Sequence, residues 1–136
     1  MNLNKIKEAV KTTDREVEFK PAGTPTGWFF TLRHESAPEV QEVMKRFNAK
    51  VRDLALKRKN SAYQNLVAQH EDSLRIAHVA GWRWADGEDE AAGRPPYSNK
   101  ELQTILDDTQ LGYHVKRFID EEVGSLEDFL EKSENS

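Results

Sequence analysis

The chain contains no cysteine. Disulfides, thiol nucleophiles, zinc fingers and iron–sulfur ligation are therefore excluded, and the absence suits a cytosolic protein. Long apolar runs are missing too, since no stretch approaches the ~20 residues needed to span a bilayer. The start, Met1-Asn-Leu-Asn-Lys-Ile-Lys-Glu8, lacks the apolar centre of a secretion signal. Only 37% of the 136 residues are apolar while 32% are charged. That leaves material for one modest core and not two. A positive excess is also lacking. The net charge of −4 disfavours a general nucleic-acid coat. No P-loop, GxGxxG, nucleophile elbow or Ser-His-Asp signature occurs, so no enzyme and no cofactor are expected.

What is present reads as an α+β chain, mostly α. Residues 1–14 suggest an N-terminal arm or short helix, carrying Leu3, Ile6 and Val10. Glu16-Val-Glu-Phe-Lys20 alternates, and so does Trp28-Phe-Phe-Thr-Leu32. Between them Pro21-Ala-Gly-Thr-Pro-Thr-Gly27 is rich in turn residues. The pattern predicts an N-terminal β-hairpin packed on a bundle of about five helices.

Ser36-Ala-Pro-Glu39 has the form of a capping box. Val40, Val43, Met44, Phe47, Val51, Leu54 and Ala55 then recur over an arc of roughly 120° on a helical wheel, predicting a helix to about Lys57–Lys59. From Ser61 two periods compete. Tyr63, Leu66, Val67, His70, Leu74 and Ala77 fit a helix to about residue 80, whereas Leu74, Ile76, His78, Ala80 and Trp82 fit a strand. The helix is preferred because its pattern spans five turns, and the two helices would form an antiparallel hairpin. Trp82 and Trp84 then fall on a loop leaving that helix.

Tyr97-Ser-Asn-Lys-Glu101 is a second capping box, with Tyr97 stapling onto Leu102. A further helix is expected over about 110–123, stopped by Gly124. Ser125 would cap a last short helix through Phe129 and Leu130. One globular domain over 15–130 and a frayed tail at 131–136 complete the organisation.

Candidate chemistry is sparse. His70 and His78 stand eight residues apart, which does not give the one-turn spacing of helical metal ligands. His34 and His114 have no partner in sequence. Asp86, Glu88, Asp89 and Glu90 cluster without the order of a calcium loop and read as solvated acids. No metal site is assigned.

Two other features point to partners. Lys45, Arg46, Lys50, Arg52, Lys57, Arg58 and Lys59 face only Asp53 within residues 44–59, whereas residues 120–136 carry seven acids against Lys132. Arg46, Lys50 and Lys57 share one helix flank. With Glu121, Glu122 and Asp128 they are the candidates for head-to-tail self-assembly into a homo-oligomer or spiral. Aromatics are also crowded. Trp28, Phe29 and Phe30 cannot all point one way on a strand, so Phe29, with Trp82 and Trp84, is a candidate for partner contact.

Ile76-Ala-His-Val-Ala-Gly-Trp82, the acidic loop after it, Pro96-Tyr-Ser-Asn-Lys-Glu-Leu102 and Leu106 together resemble the tail assembly chaperones of long-tailed bacteriophages, of the HK97-like type. The order and spacing of these segments carry the resemblance, which covers roughly residues 16–130. Leu32-Arg33 and Ser36-Ala-Pro-Glu39 match less closely, and Phe129 corresponds to the Phe of a small terminal helix. The resemblance implies a non-enzymatic protein of the host bacterial cytoplasm, absent from the mature virion. Such a protein binds the tape measure protein, keeps it soluble and helps recruit tail tube subunits. In many members a ribosomal frameshift adds an extended form, of which this chain would be the short counterpart, and the family forms multimers. It transfers no catalytic residue. A small DNA-associated regulator using the basic helix 37–59, or a permanent head–tail subunit, is the alternative.

Overall fold

The strand Trp28–Leu32 (β2) alternates buried and half-buried residues along its length, as a strand does when one face meets a core. Both of its edges are paired. In the computed structural model, which describes residues 2–6, 14–57 and 60–134, Arg15–Glu18 (β1) runs antiparallel on one side and Val79–Trp84 (β3) on the other. Side chains are described for residues 2–6, 14–53 and 64–123. Among the described residues the structure is mostly α, with five helices beside this three-stranded sheet. They include a helical turn at 3–6, Pro38–Lys57 (α1), Asn60–His78 (α2), Asn99–Leu106 (α3) and Gly112–Glu134 (α4).

The predicted hairpin forms as β1 and β2, and its turn chemistry is visible. The Thr26 hydroxyl donates to the Phe19 carbonyl at 2.6 Å and accepts from the Trp28 amide at 3.1 Å. The Glu18 carboxylate accepts from the amide of Gly27, whose φ of +69° calls for glycine.

The third strand corrects the expected helix end and the Trp82/Trp84 loop. Leu74 to His78 are helical, but the chain then passes into β3 without a loop. Two interactions make the switch possible. The β2 backbone offers a free edge, with Phe30 opposite Trp82 and Trp28 opposite Trp84. The Arg33 guanidinium donates to the Ala77 carbonyl at 2.9 Å and to the Val79 carbonyl at 3.3 Å, satisfying acceptors that a helix end leaves open.

Trp82 is accordingly only 7% exposed and belongs to the core, and half-buried Trp84 packs against that core. Trp84 stacks on Trp28 at 4.8 Å with rings 4° from parallel, and Trp82 meets Trp28 edge-on at 5.2 Å. Both indole N–H groups donate to the Pro95 carbonyl, at 2.9 and 2.8 Å. This ties the acidic Gly/Pro loop to the sheet.

Leu102, Ile105 and Leu106 of α3, with Val115 and Ile119 of α4, cover the inner face of the sheet around Phe30. Fully burying such side chains stabilises by about 1.5–3 kcal/mol each. Ser98 caps α3 as expected, accepting from the Glu101 amide at 3.0 Å. Ser36 does not cap α1. Its hydroxyl hydrogen-bonds with His34 Nδ1 at 2.9 Å, and α1 begins at Pro38 behind the Ala37 carbonyl. Gly124 does not stop α4, which continues as one helix to Glu134.

The junction of α3 and α4 sets a tight constraint. A Cβ on buried Gly112 would lie 2.3 Å from the Leu106 carbonyl oxygen. Gly112→Ala is therefore expected to lose about 1–3 kcal/mol through forced backbone movement. Helix propensity alone predicts a gain of ~0.5–1 kcal/mol. Urea unfolding of the two proteins, compared at equal m-values, decides the sign.

Candidate functional site

A two-helix hairpin cannot bury both apolar stripes completely, because each helix has only the other to pack on along most of its length. That is the situation of α1 and α2. Val40, at the base of α1, is fully buried. Beyond it Val43, Met44, Phe47 and Val51 on α1, and Leu66, Val67 and His70 on α2, are only half-buried.

The open side of this stripe forms a trough. Its distal part, a cleft of about 120 Å³, is lined by Val43, Arg46, Phe47, Lys50, Leu66, Gln69, His70 and Ser73. The proximal part is a larger cleft of about 520 Å³, where the hairpin meets β3 and the start of α3. Ile76, Ala77, Ala80 and Tyr97 supply its apolar walls, and Arg33, Glu39 and Glu42 its polar rim. Val43, Arg46 and Ser73 line both parts. From Glu39 to Lys50 the trough follows about three turns of α1, or ~16 Å.

Side chains fix its walls. Phe47 stacks on His70 at 3.8 Å between centroids, 14° from parallel. Burial lowers the His70 pKa, against a smaller opposing pull from Glu71. The ring therefore stays an apolar wall to lower pH than an exposed imidazole would. Tyr97 packs edge-on against Trp82 at 4.9 Å, and its hydroxyl donates to the Val79 carbonyl at 3.1 Å. The trough floor thus rests directly on the core.

The residues singled out in the sequence do not gather into one site. Arg46 and Lys50 line the trough and are exposed. The side chains of Lys57 and Asp128 lie outside the described residues. Phe29 does face outward, on the sheet face opposite the core, but it is not bare. The Arg83 guanidinium sits 4.2 Å above its ring and is held by Glu16 through two hydrogen bonds of 2.9 and 2.7 Å. That pairing with Arg83 lowers the Glu16 pKa.

Trp82 is buried in the core, which removes it as a contact residue, whereas half-buried Trp84 is held by Trp28 and the Pro95 carbonyl and still lines an open cleft beside Glu90 and Ile105. The α4 acids whose side chains are described each have an ion-pair partner within the chain. Asp120 pairs with Arg75 at 2.9 Å, Glu121 with Arg117 at 2.9 Å, and Glu122 with Arg15. Glu122 is thereby tied to β1, whereas Glu121 stays exposed on the surface of α4. Asp89 caps a short turn at Glu90–Ala92 and lies 3.9 Å from Arg94.

Among the described residues no group of three or more His, Asp or Glu is placed to hold a metal ion, and no helix is long and apolar enough to cross a membrane. The trough itself escaped sequence reasoning. Val43 and Phe47 carried the periodicity of an apolar helix face, which does not say what covers that face. Among the described residues no third helix covers them.

Buried His78 supplies a pH test of the region behind the trough. Desolvation lowers its pKa, although its Nδ1–H donates to the Arg33 carbonyl at 2.8 Å, which pulls the other way. The folded ring stays neutral where the unfolded one already binds a proton. Stability is therefore complete above the ordinary histidine value of about 6.5 and falls as pH drops from there toward the lower folded value. Denaturant midpoints are expected to be lower at pH 5.5 than at pH 7.5, and His78→Gln should flatten part of that slope. Comparisons with protein-family models, with curated proteins and with solved structures return no match.

Proposed function

We propose that this chain is a binding protein without covalent chemistry: a tail assembly chaperone of a long-tailed bacteriophage. Its client is the tape measure protein, whose long helices it shields from aggregation in the host cytoplasm. It leaves before the virion matures. Recruitment of tail tube subunits would fall to an extended form, and copies of the chain would associate with one another around the client.

One observation carries this reading. The α1–α2 hairpin presents a continuous, half-buried apolar trough about three helical turns long, flanked by Arg46 and Lys50. Such a surface suits the helix-in-groove mode, in which an amphipathic helix lays its apolar face between two others. The residues of the phage-chaperone resemblance add to it from the other side. Ile76 lines the trough and Tyr97 closes its base. The client surface in this reading is the trough and not the tryptophans.

The test is an aggregation assay with a purified helical segment of a tape measure protein. At equimolar ratio the chain is expected to hold the segment in solution. Phe47→Asp and Val43→Asp should each weaken the contact by about 10–100-fold, the equivalent of one lost apolar side chain, with unchanged far-UV circular dichroism. Full protection by both variants would sink the trough as the client site. Mass spectrometry of finished particles supplies the second arm. The chain's presence there would identify a permanent structural subunit instead.

A further inference from the structure

The two ends of the trough differ in charge. At the base the cations are matched: Arg33 lies 3.7 Å from Glu39, and Arg46 lies 3.8 Å from Glu42. Toward the tip the match ends. No acidic residue lines the distal cleft, and among the described residues no carboxylate lies within ion-pair distance of Lys50. Exposed Lys45 and Arg52 lie on the same stretch of α1, with exposed Asp53 as its one acid between residues 43 and 57.

Backbone dipoles do not offset this. The tip joins the C-terminal end of α1 to the N-terminal end of α2, so their partial charges oppose each other and the side chains set the sign. The trough therefore has an apolar floor, a neutral base and a net positive distal cleft around Lys50.

We infer that the trough accepts an amphipathic helix in one direction, with acidic residues in its C-terminal turn lying in the distal cleft beside Lys50. The inference rests on the trough being the client site proposed above, and it names the class of helix that site takes. Two effects act together in this orientation. The acidic side chains meet unmatched cations, and the partial negative charge of a helix C-terminus points the same way. With the same acids moved to its first turn, a helix reverses one of those terms. A basic helix is repelled by the distal cleft in either direction.

Three synthetic 15-residue helical peptides test this, sharing one leucine stripe and one fluorophore. The first carries three glutamates in its last turn, the second carries them in its first turn, and the third carries three lysines in its last turn. Binding is read by fluorescence anisotropy at low and at high salt. The first peptide is expected to bind tightest, about threefold better than the second, as a helix-dipole term implies. It should bind on the order of tenfold better than the third, and added salt should close both gaps. Lys50→Glu combined with Arg46→Glu, both on exposed positions, should invert the ranking so that the lysine peptide binds best.

Equal binding of all three peptides at low salt would overturn the inference while leaving the trough as a client site. Binding of none would remove the trough reading as well. Light scattering run alongside gives the remaining outcome. If peptide binds only as a dimer of this chain dissociates, the occupant is a second copy, and the assignment to a foreign helix is overturned.

Discussion

The middle strand constrains everything else in this protein. Strand β2 has Trp28, Phe30 and Leu32 on one face and partners on both edges, so three apolar side chains must be covered from a single side. The cover comes from α3 and α4, through Leu102, Leu106, Val115 and Ile119. The demand for two edge partners also makes a strand of residues 79–84, which helical periodicity alone does not require. The Pro95 carbonyl then secures the loop beyond β3 by accepting from two indoles at once. A loop dense in acids is thus held against an aromatic core by one backbone oxygen.

The hairpin of α1 and α2 answers to a different constraint. Its base is fixed: Val40 is buried, Arg33 closes the end of α2, and Arg75 bridges Asp72 and Asp120. Further out, each helix has one neighbour among the described residues, where a bundle would supply two or three. Apolar residues there remain half in water, and the cost of that exposure is what a partner helix could recover. A surface whose burial is incomplete by construction is well suited to transient binding. Its affinity depends on how many such side chains a guest covers and not on trough volume.

Charge follows a similar division between internal and available. The acids of α4 nearest the core, which in sequence look like an interaction surface, are engaged with Arg75, Arg117 and Arg15. The contacts to Arg75 and Arg15 knit α2, α4 and β1 together, whereas the Glu121–Arg117 pair lies within α4 and stays exposed. The basic residues of α1 are the opposite case. Arg46 is paired with Glu42, whereas Lys50 has no carboxylate within ion-pair distance among the described residues, so the distal part of the trough keeps a net positive charge. Net charge along a segment therefore says nothing of its availability. Which charges face each other across the fold decides that.

Local chemistry, read from the sequence alone, determined the pieces. Alternation at 16–20 and 28–32, the Gly/Pro turn between them, the Ser98 cap and the apolar arc of α1 are all written within a few residues of where they act, and each appears in the structure. So does the mostly helical α+β class. Only tertiary structure decided the third strand, the fate of the tryptophans, the passage of α4 through Gly124 and the open side of the hairpin. The physical reason is shared by the strand, the two later tryptophans and the hairpin. A strand needs a partner edge, the Trp82 and Trp84 N–H groups find the Pro95 carbonyl, and an apolar stripe is core or surface depending on what lies opposite. Each of these partners is distant in the chain, and sequence periodicity does not encode where it will stand.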